Sequence, residues 1–347
     1  MAGFGSGLAR RLYRGEINVD FVGKQRLWYS LSAGLLLVSI AGLIINGLNL
    51  GVEFTGGSVF SFKAPTASIE QVRDTFTKQQ VHQAIPQTAG DRWRVTTETL
   101  TESQGTQLQK AIATEYKLPQ NQVDVDLIGA SWGGQVSEKA LIGLGVFMLA
   151  IILYLTMAFE WKMALAAIVA LFHDLIITAG VYAWTDFEVT PATVLGFLTI
   201  LGYSLYDAVV VFDMIKEVTA KLGTGSKMTY SQAANNALNH TLIRSLNTTL
   251  VAILPVAAIL FIGTTLLGAG TLKDLSLALF VGMLVGTYSS LCVATPLLVT
   301  LKEREPKYQQ LARRLASRGP GKEPSDAETR EPVAAANGAT ATKRRKK

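Results

Sequence analysis

The chain holds 347 residues, 49% hydrophobic and 17% charged, with a formal net charge of +6 and a mean hydropathy of +0.30. It is too apolar for a typical soluble protein and too charged for a chain made only of membrane spans, so a membrane region with a soluble piece fits. The single cysteine, Cys292, excludes an internal disulfide; His82, His173 and His240 are scattered, no cysteine or histidine cluster suggests a metal site, and no cofactor is expected.

Residues 1–26 form a basic N-terminal segment with Arg10, Arg11, Arg14, Lys24 and Arg26. Residues 27–48 are an apolar run of spanning length. The run is longer than a usual signal core and no small-x-small cleavage site follows it, so it reads as a retained first span with a cytoplasmic N-terminus.

From 51 to 138 the chain turns polar. Residues 52–63 alternate and read as a strand. Ser68 can cap a helix running to Lys78. Residues 92–98 read as a strand, 101–116 as a helix with Leu108, Ile112 and Tyr116 at helical spacing, and 122–128 as a strand with Val123, Val125 and Leu127 on one side. This β-α-β-α-β order predicts a small ferredoxin-like α/β domain. It follows an inside-to-outside span, so it is expected outside the cytoplasm.

Five further apolar runs, 140–158, 163–184, 192–214, 248–267 and 275–301, make six spans with the first and place a five-helix transmembrane region at 139–301. Residues 216–238 read as a longer inner loop. Residues 302–347 lose periodicity and end in Lys343-Arg344-Arg345-Lys346-Lys347, which predicts a disordered basic cytoplasmic tail. Such a basic run is solvated, with contact to anionic membrane lipids or RNA as the lesser reading.

Asp207 lies well inside the fourth span. A carboxylate at that depth costs roughly 3 kcal/mol on insertion scales unless it is paired, hydrated or protonated. On a helical wheel Gly196, Thr199, Tyr203 and Asp207 share one small, polar arc, so Asp207 is expected to face protein or a wet cavity and to bind a proton. Arg244 is placed just before or within the start of the fifth span, on an arc with Thr241, Ser245 and Thr248. A guanidinium beside a carboxylate favours its charged form and burial the neutral form; the alternative role for Arg244 is a headgroup anchor. His173-Asp174, mid-way in the third span, is either part of a proton relay or a locked interhelical hydrogen bond. Asp213 reads as a solvated or paired helix end near Lys216. Gly282, Gly286 and Ser290 have small-xxx-small spacing, a packing signal. Gly56-Gly57 reads as a turn with positive φ.

Gly51-Val52-Glu53-Phe54-Thr55-Gly56-Gly57 resembles the motif after the first span of the SecF family of protein-export membrane subunits. Gly202-Tyr203-Ser204-Leu205-Tyr206-Asp207, with Asp213 beyond it, is similar to the family's fourth-span signature. Residues 239–250, Gly286-Thr287-Tyr288-Ser289-Ser290 and Ala294-Thr295-Pro296-Leu297 resemble its fifth- and sixth-span motifs, and His173-Asp174 has a counterpart. The resemblance covers roughly residues 10–300, in the same order. It implies an α-helical polytopic membrane protein, six helices forming half of an RND-like bundle, plus the outer α/β domain. It implies SecD and YajC as companions, work beside the SecYEG channel and the SecA motor, and use of protons to help move a translocating preprotein across the bacterial cytoplasmic membrane. It ties proton conduction to Asp207 and Arg244, and implies no enzyme. Two departures stand out: Tyr206 where the family commonly has asparagine, and no Gly-Pro within 128–134. An RND-type exporter of small molecules or lipids, and a non-transporting scaffold of the export channel, are the alternative readings.

Overall fold

A computed structural model describes residues 19–318 apart from residues 82, 90–91, 224–225 and 264–269. The Arg10, Arg11 and Arg14 cluster, His82 and the terminal Lys-Arg run lie outside the described residues. Helix α1 (Gln25–Ile45) leads into a short turn of helix, α2 (Val52–Thr55), and then into a sheet domain. That domain runs β1 (Gly57–Lys63), α3 (Ile69–Lys78), β2 (Ile85–Ala89), β3 (Arg92–Thr97), α4 (Glu102–Glu115) and β4 (Asp124–Ile128). The sheet order is β2-β3-β1-β4, and every neighbouring pair is antiparallel. This is the βαββαβ arrangement of ferredoxin-like domains.

Two differences from the sequence reading have local causes. Residues 52–55 form a turn of helix because Gly56 (φ 77°) and Gly57 (φ 149°) break it with positive φ, and the strand starts only at Gly57. A Cβ on Gly57 would lie 2.7 Å from the Thr97 carbonyl, so the close approach of β1 to β3 also requires glycine there. Strand β2 was not anticipated: its sequence Ile-Pro-Gln-Thr-Ala lacks apolar alternation, and Pro86 is tolerated because β2 is an edge strand. Ser68 and Thr101 start α3 and α4 through capping boxes with Gln71 and Gln104. The helices cover one face of the sheet, where Phe60, Phe62, Val72, Phe76, Trp93 and Ile112 pack into a core. Phe60 and Phe76 meet edge to face with centroids 5.5 Å apart.

The remaining helices are α5 (Ala130–Ala158), α6 (Trp161–Thr185), α7 (Pro191–Ala220), α8 (Tyr230–Ala258), α9 (Gly270–Ser289), α10 (Thr295–Glu303) and α11 (Pro306–Arg318). Single π turns follow α8 (Ile259–Gly263) and join α9 to α10 (Ser290–Ala294). Six segments among the described residues are long and apolar enough to cross a membrane: α1, α5 from Trp132, α6, α7, α8 with its π turn, and α9–α10 from Leu272. Their connections put the sheet domain at one end of the bundle; the opposite end is here the far end.

Three boundaries change. Helix α7, with 30 residues, is about 45 Å long against a hydrocarbon core of about 30 Å, so it runs on past Asp213, which lies about two turns before its Ala220 end and not in its last turn. The expected inner loop at 216–238 shrinks to the stretch between α7 and α8. Thr229 caps α8 with Gln232, and Tyr230, Ala233, Ala234, Ala237 and Leu238 are buried along one side. At the C-terminal end, 306–318 is an amphipathic helix and not part of a disordered tail. Tyr308 and Leu311 bury against the bundle, and Tyr308 packs on Tyr230 at 4.5 Å between centroids. Lys162 Nζ donates to Glu305 Oε1 at 2.9 Å, and Lys302 pairs with Glu160.

The small-residue stripe of α9 packs on α7. A Cβ on Gly282 would overlap the Ile200 side chain, and one on Gly286 would lie 3.0 Å from Ser204 Cβ. Among the ties between the domain and the bundle, two stand out. A Cβ on Gly133 of α5 would lie 2.7 Å from the Phe54 carbonyl of α2. Arg94 of β3 reaches Glu188, between α6 and α7, at 3.3 Å and Glu53 of α2 at 3.7 Å.

Candidate functional site

Asp174 and Asp207 lie at the middles of α6 and α7, and both are buried, with 0% and 3% of their surface exposed. Isolated carboxylates are expensive to bury, so the accounting question is what each one touches. Ser245 Oγ of α8 donates to Asp207 Oδ1 at 2.5 Å, and Ser290 Oγ, at the start of the π turn, donates to Oδ2. Ser204 Oγ of α7 and Ser289 Oγ of α9 donate to Asp174 Oδ2 at 2.5 and 2.8 Å. His173 Nδ1 is 3.1 Å from Asp174 Oδ1. His173 Nε2 is buried without a partner, and its ring lies 6.1 Å from that of Tyr288. Each carboxylate is therefore met by hydroxyls from two other positions in the bundle, and among the described residues neither makes an ion pair with Lys or Arg.

A ladder of hydroxyls continues from Asp207 toward the domain end. Tyr203 OH donates to Thr249 Oγ1 at 2.9 Å, and Thr249 and Thr287 share a hydrogen bond of 2.7 Å. Toward the far end, a cavity of about 370 Å³ is lined by Asp213, Glu217, Thr241 and Arg244 with Tyr154 and Phe159.

The sequence-derived residues fall into three groups. Asp207, Asp174, His173 and Ser290 come together at the centre of the bundle. Arg244 does not join them. It is the middle residue of α8, exposed, and lines the cavity with Asp213, because α8 starts at Tyr230 and its buried side runs through Thr241, Ser245 and Thr249. Its neighbour Ser245 meets Asp207 instead. Gly56 and Gly57 hold the turn below the sheet, and Gly282 and Gly286 the α7–α9 contact. Gly202 has open space where a Cβ would go, and Tyr206 is half exposed. The buried face of α7 is rotated roughly a quarter turn from the predicted polar arc, leaving Thr199 outside. Ser204, Ser245 and Ser289 were not singled out as partners of the carboxylates. The signal for Ser204 and Ser245 was spacing: Ser204 precedes Asp207 by one turn, and Ser245 lies on the arc drawn for Arg244.

The family model for the C-terminal part of the protein export membrane proteins SecD/SecF matches residues 107–304, and the SecD/SecF GG-motif model matches 41–64. The chain is 47% identical over 317 residues to the protein translocase subunit SecF of Streptomyces coelicolor, covering 90% of this chain and 85% of that one. It is 39% identical to the SecF subunit of Mycobacterium tuberculosis, covering 92% of this chain and 75% of the other. The crystal structure of SecDF, a translocon-associated membrane protein from Thermus thermophilus, superposes with a TM-score of 0.75 at 30% identity. That match covers 86% of this chain and 42% of the SecDF chain. On these matches, the fold and the sequence together, the chain belongs to the SecD/SecF family of protein-export membrane proteins.

Proposed function

We propose that the chain is a SecF-type protein translocase subunit that uses proton movement to promote export of polypeptides, and that it makes and breaks no covalent bond of its substrate. The observation that carries this is the pair of mid-span carboxylates held by hydroxyls and not by a cation. A carboxylate in an ion pair must break that pair to take a proton; one held by hydroxyls only needs them to turn. Asp207 is the working group, with Asp174 and His173 as its neighbours in the relay. Arg244, facing the far-end cavity beside Ser245, is suited to draw the proton route toward that end when α8 moves.

A second membrane subunit of SecD type completes the machine in this reading. Its support is the fused SecDF relative, of which this chain matches 42%, and an outward face that lipid alone does not suit. Thr199, Tyr206, Arg244 and Asn247 are exposed at membrane depth on α7 and α8, where polar side chains normally face protein or water. The SecYEG channel, SecA, YajC and the exported preprotein are the further partners. The sheet domain is placed outside the cytoplasm and both termini inside, since Lys162, Lys216, Lys221 and Lys227 gather at the far end.

The test is Asp207→Asn in membrane vesicles that export a preprotein with and without a proton gradient. The gradient-dependent part of export is expected to vanish while the subunit still co-purifies with its SecD-type partner. Unchanged gradient dependence in the assembled variant would falsify the motor reading and favour a scaffold.

A further inference from the structure

The two carboxylates meet one short stretch of the sixth span. Ser289 donates to Asp174, and its neighbour Ser290 donates to Asp207. Each of these serines has a second acceptor in reach. The Gly286 carbonyl is 3.1 Å from Ser289 Oγ, and the Thr287 carbonyl is 3.0 Å from Ser290 Oγ. The other two hydroxyls lack that choice: among the described residues Ser204 Oγ meets only Asp174, and Ser245 Oγ only Asp207. A hydroxyl has one hydrogen, so Ser289 and Ser290 can each point it at a carboxylate or at the carbonyl three residues back.

The backbone at this point is also special. Ser290 opens the π turn, and Thr295 Oγ1 donates back to the Ser290 carbonyl at 3.0 Å. Single π turns interrupt the regular helical ladder and recur at functional sites. Because the two serines are consecutive, α9 cannot draw away from one carboxylate without moving relative to the other.

Resting on the proton reading above, we propose that Ser289 and Ser290 form a hydroxyl switch that makes the proton occupancies of Asp174 and Asp207 rise and fall together. With both carboxylates ionised, each serine donates to its own. A proton that binds Asp207 Oδ2 turns that oxygen into a donor. Ser290 Oγ then accepts it and turns its own hydrogen to the Thr287 carbonyl; no serine bond breaks, and the site gains one positive charge. A charge-assisted contact becomes an ordinary one, roughly half as strong, and the hold on α9 loosens. Ser289 turns to the Gly286 carbonyl, and Asp174 loses a donor that favoured its ionised form. The sign of this coupling is opposite to charge repulsion, in which neutralising one carboxylate favours ionisation of the other.

The titratable and charged groups set around the pair are known from the packing. They are His173 on α6, Tyr203 on α7, Tyr288 on α9 and Cys292 in the π turn, while Arg244 on α8 lies off the pair, in the far-end cavity. None of them touches Ser289 or Ser290 Oγ among the described contacts, so the switch can be changed without removing a charge.

The experiment uses the chain purified with its membrane partner in lipid nanodiscs, following the carboxylic C=O infrared band of Asp207, assigned by its loss in Asp207→Asn. At fixed pH, Asp174→Asn is expected to raise the protonated fraction of Asp207 severalfold. In a Ser289→Ala background the rise is expected to disappear, and in Ser289→Thr, which keeps the hydroxyl, to return. Should Ser289→Ala fail to assemble, Ser289→Cys, close in size and a poor donor, serves in its place. A fall in the protonated fraction on Asp174→Asn, or a rise that survives loss of the hydroxyl, overturns the switch while leaving the proton reading intact. An Asp207 band that never responds to pH sinks the proton reading and the switch with it.

Discussion

The sheet domain and the centre of the helix bundle solve opposite problems with the same chain. In the domain, Phe60, Phe62 and Phe76 are fully buried, Ser68 and Thr101 cap helices, and the buried polar side chains, such as Ser58 and Thr75, are uncharged and hydrogen-bonded. In the bundle, apolar side chains such as Leu37, Leu149 and Val251 lie outside as well as in the core, and two carboxylates with their serines lie among the buried apolar ones. Burying aromatic surface stabilises the first region directly. Burying carboxylates contributes little to stability and often costs it. The domain is therefore built to keep its shape, and the bundle centre to exist in more than one protonation state. The Gly56-Gly57 turn, Gly133 and the Arg94–Glu188 pair connect the two, so a shift among α6, α7 and α9 has a stiff body to act on.

Substitutions can break this contrast from either side. The largest stability effect is expected in the domain. Phe60→Ala removes a ring that is 0% exposed and should cost about 3–5 kcal/mol. Thermal unfolding and protease resistance of the full chain in membranes would read it as early loss of the domain. Asp207→Asn, by contrast, should leave both unchanged while abolishing the gradient-dependent export. If the two variants lost stability alike, the division of labour between the regions would be wrong.

A smaller effect tests whether packing in the bundle serves the carboxylates. Gly282→Val puts a branched side chain where even a Cβ overlaps Ile200. Overpacking of this kind costs about 1–3 kcal/mol and forces α9 away from α7. The expected result is a lower unfolding temperature together with reduced gradient-dependent export, since Ser289 and Ser290 move with α9. Gly202→Ala, in the same span as Ile200, meets open space and should leave the unfolding temperature of this chain unchanged. Equal losses in the two glycine variants would mean that small residues here serve something other than the α7–α9 contact.

How much of this was legible depends on which physical signal each part leaves in the sequence. The caps at Ser68 and Thr101 and the periodic faces of α3 and α4 are local, so they could be read directly. Asp207 and Asp174 could be read because a charge inside an apolar run is rare. Strand β2 could not, because its edge position and Pro86 leave no alternation. The first half of α8 could not either: Asn235 and Asn239 make it look like a polar loop. In the fold these two asparagines bind the backbone of residues 19–22, Asn239 Oδ1 accepting from Val19 N at 2.7 Å and Asn235 Oδ1 from Phe21 N at 2.9 Å. Missing that half misplaced Arg244 at a helix start and hid that Ser245 is the residue aimed at Asp207. Serines are common in spans and carry no charge, so their role is visible only once the four helices α6 to α9 are brought together.

The smallest expected effect lies at the far end, where ion pairs add to the apolar contacts that hold helix α11. Burial pushes the Glu305 carboxyl up, but the hydrogen bond from Lys162 and the charges of Lys302 and Lys162 outweigh it and hold the group below the usual carboxylate range. The folded value is thus lower than that of the unfolded chain, near 4.3. Its contribution is complete above that unfolded value and is lost as the pH falls through the folded one. The side chains of this pair are partly buried, and desolvation offsets much of their attraction, so only local fraying of α11 is expected, and no loss of the bundle. A nitroxide attached at Gln310→Cys, an exposed position on α11, should stay restrained at neutral pH and become more mobile below about pH 4. Glu305→Gln should show that mobility already at neutral pH and no further acid transition. Mobility that rises with acid equally in both proteins would mean that α11 is held by the Tyr308–Tyr230 contact alone, and that the ion pairs at this end add nothing to it.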